Sequence, residues 1–155
     1  MSVATERFSP SCMPPIMGSE TAIERARTVL ALGAGVPARA CYVERLDHPA
    51  TGYYLVVFGE ESDAVGVAAV DGMSGEVTSH APVAGAKPHL PVIAARASEL
   101  AGAAPLEPPR LVWRPCRASQ SMLYPIWEIR TAGGLIYIDQ QSQLWTRLEP
   151  GGPGG

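Results

Sequence analysis

Apolar residues along this chain recur with two periods that alternate in blocks. Ile23, Ala26, Val29 and Leu30 fall at helical spacing, and Thr21 with Glu24 has the spacing of a capping box. A helix therefore begins near Ser19 or Thr21, and Gly33 and Gly35 are placed to stop it. Three strand-like runs follow, Ala38 to Glu44, Tyr53 to Gly59 and Ala64 to Asp71, separated by turn-rich stretches such as Asp47-His48-Pro49. A shorter run, Gly75 to Val77, ends this half. The order then returns. Pro91 suits the first turn of a second helix, with Ile93, Ala97 and Leu100 on one face before Gly102. After Pro105 to Pro109, strand-like runs occupy Arg110 to Arg114, Leu123 to Arg130, Leu135 to Asp139 and Gln143 to Leu148.

The halves can be laid over each other. Ile23 falls on Ile93, a shift of 70, Val56 on Trp127, a shift of 71, and Asp71 on Asp139, a shift of 68. Near-constant shifts point to a duplication. The expected fold class is α+β: two tandem units, each a helix across an antiparallel sheet, in the order αβββ twice. The units span residues 19–82 and 88–149, between a disordered lead-in at 1–18 and a flexible tail at 150–155. Trp127, mid-strand and matched to Val56, is expected in the core.

Composition narrows the classes of function. A 46% apolar and 17% charged chain of 155 residues is globular in character. The net charge of −3 offers no basic footprint, so nucleic acid is not an expected partner. No run approaches the ~18 apolar residues of a membrane span, and Met1 to Gly18 has no apolar signal region. Cys12, Cys41 and Cys116 are odd in number, with no CxxC spacing, which suits a cytoplasmic protein with reduced thiols. His48, His80 and His89 form no HxH or HExxH pattern, so no metal site and no cofactor is expected.

The stretch Ala69-Val70-Asp71-Gly72-Met73-Ser74-Gly75-Glu76-Val77 resembles the end of a PepSY-type repeat, where a strand closes on Asp, turns through a small polar residue and Gly, and leaves through Glu-Val. Tyr137 to Trp145 resembles a second copy, with Gln143-Leu144 in place of Gly-Glu. The resemblance implies cystatin-like α+β units and a binding or inhibitory role, often towards peptidases. Physical chemistry accounts for the turn independently of any family. A strand-end Asp accepts hydrogen bonds from the following amides, and Gly75 can adopt a positive φ.

Candidate chemistry gathers in the second half. On the Leu123 to Arg130 strand, alternation sets Trp127 and Ile129 on one face, and Tyr124, Ile126, Glu128 and Arg130 on the other. The aromatic Tyr124, Tyr137 and Trp145, with Glu128, Arg130 and Arg147 to fix polar groups, make the candidate ligand-binding set. No catalytic residue is assigned. Cys116, flanked by Arg114 and Arg117, has a cationic neighbourhood but no histidine near in sequence. The expectation is a noncatalytic binding or interaction module acting on a peptide, an enzyme or a small ligand, with homodimerisation through the apolar face. The alternative is a small accessory-pathway enzyme, of isomerase or cyclase type, with its pocket between the two units.

Overall fold

The computed structural model describes residues 17–83 and 88–150. Residues 1–16 of the expected lead-in and 151–155 of the tail lie outside the described residues. Eight strands among the described residues form one sheet. In chain order they are β1 (Ala38–Arg45), β2 (Gly52–Glu60), β3 (Asp63–Asp71), β4 (Val77–Pro82), β5 (Arg110–Trp113), β6 (Ile126–Thr131), β7 (Gly134–Ile138) and β8 (Leu144–Trp145). Their order across the sheet is β4-β3-β2-β1-β5-β6-β7-β8.

This sheet overturns the expected α+β class of two tandem helix-plus-antiparallel-sheet units. Strands dominate, and the two helices are short, α1 (Ser19–Leu30) and α2 (Ala94–Ala101). The sheet is mixed, because β1 and β5 run parallel with Glu44 opposite Val112 and Arg45 opposite Trp113. Every other neighbouring pair is antiparallel. The physical reason is the inner edge of β1. Left alone it would present a row of unpaired N–H and C=O groups, and β5 supplies the partner.

The helix ends also differ from the sequence reading. Gly18 is the N-cap of α1 with no side-chain cap bond, so Thr21 and Glu24 do not act as a capping box. Ala31 takes the left-handed conformation at the other end, φ 54°, ahead of Gly33. Helix α2 starts after Ile93, three residues past Pro91, and stops at Gly102, φ 72°, as its sequence indicates.

Registers place the helices on opposite faces. Tyr42 lies opposite Tyr54, and Ala40 opposite Val56, so Glu44 shares their face. Across the parallel pair that face continues through Val112 and Ile126 to Glu128, while Leu111, Trp113 and Trp127 point the other way. Helix α1 covers Tyr54, Val56, Phe58, Ala68 and Val70. Helix α2 covers Ile129 and Ile138 on the reverse side. On that same reverse side, Val43, Tyr53 and Leu55 pack with Leu111, Trp113 and Leu123, joining the halves. Residues 52–59 of β2 are buried throughout because both faces of the strand are covered, which explains its unbroken apolar run. Trp127 is half-buried and packs against both reverse-side clusters, with its indole N–H donating to Val92 O at 2.7 Å.

The two strand-end turns close as their chemistry requires. Asp71 Oδ1 accepts from the Met73 and Ser74 amides at 2.8 Å each, and Gly75 follows at φ 77°. Asp139 Oδ1 accepts from the Gln141 and Gln143 amides at 2.9 Å, with Ser142 at φ 66° in the left-handed region.

Candidate functional site

Three of the six sequence candidates come together as one cross-strand row. Arg110, Glu128, Tyr137 and Trp145 stand directly opposite one another across β5, β6, β7 and β8. Arg110 donates through Nε to Glu128 Oε1 at 2.7 Å and also pairs with Glu44. Glu128 is only 5% exposed, so the guanidinium supplies the charge its burial demands. Burial, and next the adjacent Glu128 charge, push the Tyr137 phenol above its ordinary pKa, which keeps it protonated. Trp145 donates its indole N–H to Asp139 Oδ2 at 2.9 Å. The polar tips of Arg110, Glu128 and Trp145 are thus spent on the protein itself, which makes the row a brace of the open face. Arg110 was not among the sequence candidates, because its role depends on a partner 18 residues away across a strand pair.

Two other candidates stand apart. Arg130 pairs with Glu107 at 3.2 Å, both side chains more exposed than buried. Arg147 bonds Glu149 at 2.8 Å on the surface.

Tyr124 has a different setting. It borders a cleft of about 420 Å³ built where three loops meet: Pro91 ahead of α2, Arg117 to Ser121 after β5, and Gln140-Gln141 after β7. Internal bonds set the walls. Ser119 Oγ donates to Tyr124 O at 2.7 Å, and Ser121 Oγ accepts from the Leu123 amide at 3.1 Å. Gln140 bridges loops by accepting from the Val92 amide and donating to Pro125 O, both at 3.1 Å. The Tyr124 ring is 46% exposed and rests at 4.7 Å on His89. His89 is buried, with Nε2 at 2.5 Å from Leu123 O. A carbonyl only accepts, so Nε2 carries the proton. Burial is the main force holding this imidazole below its ordinary pKa, against the Leu123 bond, so His89 is neutral scaffolding. Arg117 reaches Glu149 only at 3.5 Å. The side-chain amides of Gln120 and Gln141 and the Tyr124 hydroxyl have no hydrogen-bond partner among the described residues. The composition of residues 117–121 reads as a hairpin loop, and turn segments carry no periodic signal to mark them as a site.

The remaining reactive groups do not assemble. Cys116 is buried, its thiol directed at Ser119 O, and Cys41 is half-buried on β1. Burial pushes the Cys41 thiol above its ordinary pKa, against the pull of Arg39. Asp47 is held by Arg45 at 3.0 and 2.6 Å, leaving His48 exposed beside it. No group of three or more His, Cys, Asp or Glu side chains among the described residues could hold a metal ion, and no helix there is long and apolar enough to cross a membrane. No family model, curated protein or solved structure matches the chain, so the PepSY-like resemblance rests on its short motif alone.

Proposed function

We propose that this chain is a noncatalytic binding module whose ligand is a small, polar, hydrogen-bonding molecule seated in the Tyr124 cleft. One observation carries the reading. The cleft lining offers amides, hydroxyls, one guanidinium and an aromatic ring, and no carboxylate, thiol or imidazole. Such a surface recognises a ligand, and its Ser119, Ser121 and Tyr124 hydroxyls have no carboxylate, thiol or imidazole in the lining to activate them. Its walls are preorganised by the Ser119, Ser121 and Gln140 bonds, which lowers the ordering cost of binding. A cytoplasmic setting accords with the free thiols of Cys41 and Cys116.

The test is native mass spectrometry of the protein isolated from its own source, beside Tyr124→Ala and Gln141→Ala variants. The expected result is a small ligand on the wild type that both variants lose while retaining their circular dichroism spectrum. Ligand retained by both variants, or converted to product by the wild type, overturns the reading.

A further inference from the structure

A second cleft, of about 260 Å³, lies on the α2 face where the two halves meet. Its floor is apolar: Val57 of β2, Leu90 and Val92 ahead of α2, and Trp127. The Trp127 N–H is already engaged by Val92 O, so the indole offers the cleft no free donor. Cys41 adds a thiol that burial keeps protonated, a small apolar contact in effect. Ile93 forms part of the lining and is 58% exposed.

Two charges border this apolar floor. Arg39 stands on β1 opposite Val57, and Glu61 occupies the β2–β3 turn. No ion pair joins either of them to another described residue. Other charges are taken up within the chain, as Arg45 is by Asp47, Arg110 by Glu44 and Glu128, and Arg130 by Glu107, whereas Arg39 and Glu61 stay exposed at the rim of this cleft. An unpaired cation and an unpaired anion beside one apolar cavity are complementary to a ligand of both signs.

We propose that this cleft binds a free apolar α-amino acid, with its carboxylate on Arg39, its ammonium on Glu61 and its side chain on Trp127. The size agrees, since the volume falls below the roughly 300–1,000 Å³ of drug-sized ligand sites. Charge excludes the nearest competitors. A fatty acid leaves Glu61 unmatched, an amine leaves Arg39 unmatched, and a phosphate meets repulsion from Glu61. The site shares no lining residue with the Tyr124 cleft.

Isothermal titration of the full chain with L-leucine tests it, against 4-methylpentanoate (no ammonium), leucinamide (no carboxylate) and glycine (no side chain). Leucine is expected to bind, and each analogue to bind at least about tenfold more weakly. Arg39→Gln should weaken leucine about tenfold and narrow the gap to leucinamide, and Glu61→Gln should narrow the gap to 4-methylpentanoate. Tyr124→Ala should leave leucine affinity unchanged, which separates this site from the other cleft. Absence of leucine binding at about 1 mM, analogues equal to leucine, or leucine affinity lost in Tyr124→Ala but kept in Arg39→Gln and Glu61→Gln would each overturn the proposal.

Discussion

Val56 and Trp127 point to opposite faces of one sheet, each towards the helix of its own half. Val56 sits fully buried under α1, and Trp127 lies half-buried beside α2 with its indole N–H on Val92 O at 2.7 Å. Trp127 therefore has two roles, packing the seam between the halves and flooring a cleft.

Two substitutions separate the packing of Trp127 from its hydrogen bond to Val92 O. Trp127→Ala removes a large packed side chain and should cost about 3–5 kcal/mol, read by urea denaturation. Trp127→Phe keeps most of the apolar area but strands Val92 O, for a loss of about 1 kcal/mol. A Phe variant as unstable as the Ala variant would show that the hydrogen bond outweighs the packing.

Arg110 and Glu128 should behave as a coupled pair. Glu128 is nearly fully buried while Arg110 is 44% exposed, so removing the arginine leaves a buried carboxylate without its cation. Arg110→Ala is expected to destabilise by about 1–3 kcal/mol, in the range for an orphaned buried polar group. Adding Glu128→Gln should recover part of that loss, and a double-mutant cycle measures the coupling. Strict additivity would remove Glu128 as the reason for the Arg110 effect.

Stability should fall on mild acidification through His89. Its folded pKa lies below the unfolded value of about 6.5, so its contribution is complete above that value. As pH falls from about 7 through the depressed folded value, the unfolded chain binds the proton more readily and stability is lost. His89→Phe keeps a ring against Tyr124 and should flatten the dependence in this window. The comparison is urea midpoints of both proteins across the range.

A second acid-sensitive element appears at lower pH. Burial opposes ionisation of Asp71, yet the Ser74 and Met73 amides outweigh it and hold the carboxyl below its ordinary pKa. Asp47 is held low in the same direction, with burial opposing and the Arg45 bonds prevailing. Stability from both is present above the ordinary carboxylate range, about 4, and is lost as pH falls through their lower folded values. Asp71→Ala should cost about 1 kcal/mol at neutral pH and reduce the loss seen on strong acidification.

Gly75 and Met17 make the same turn sensitive to its neighbour. Gly75 holds φ 77°, and a Cβ there would meet the Met17 methyl. Met17 also accepts the Tyr54 hydroxyl at 3.0 Å and donates its amide to Gly72 O at 3.3 Å. Gly75→Ala should cost at least about 1 kcal/mol by thermal denaturation. A truncation beginning at Ser19 should be less stable than one beginning at Met17, because the partly buried Tyr54 hydroxyl loses its acceptor. Equal melting temperatures would show that water replaces Met17 without cost.

Local interactions determined what the sequence could show. Alternation and turn chemistry locate β1, β2 and β3 to within a residue of their observed ends, because each strand pairs with its neighbour through a short turn. The Asp71 and Asp139 turns follow from side chains bonding amides two to four residues away. Tertiary structure decided the rest. The parallel pairing of Arg45 with Trp113 joins segments 68 residues apart, and it makes the strands of both halves one mixed sheet with its helices on opposite faces. Parallel neighbours need a long crossover, so no turn signal announces them. Of the candidate residues, Glu128, Tyr137 and Trp145 became a row only through strand register, and Tyr124 gained its cleft only because three loops converge. Hydrophobic periodicity reports which side of its own element a residue takes. Contacts between distant elements depend on burial and on backbone groups that must find partners, and these are settled only when the whole chain packs.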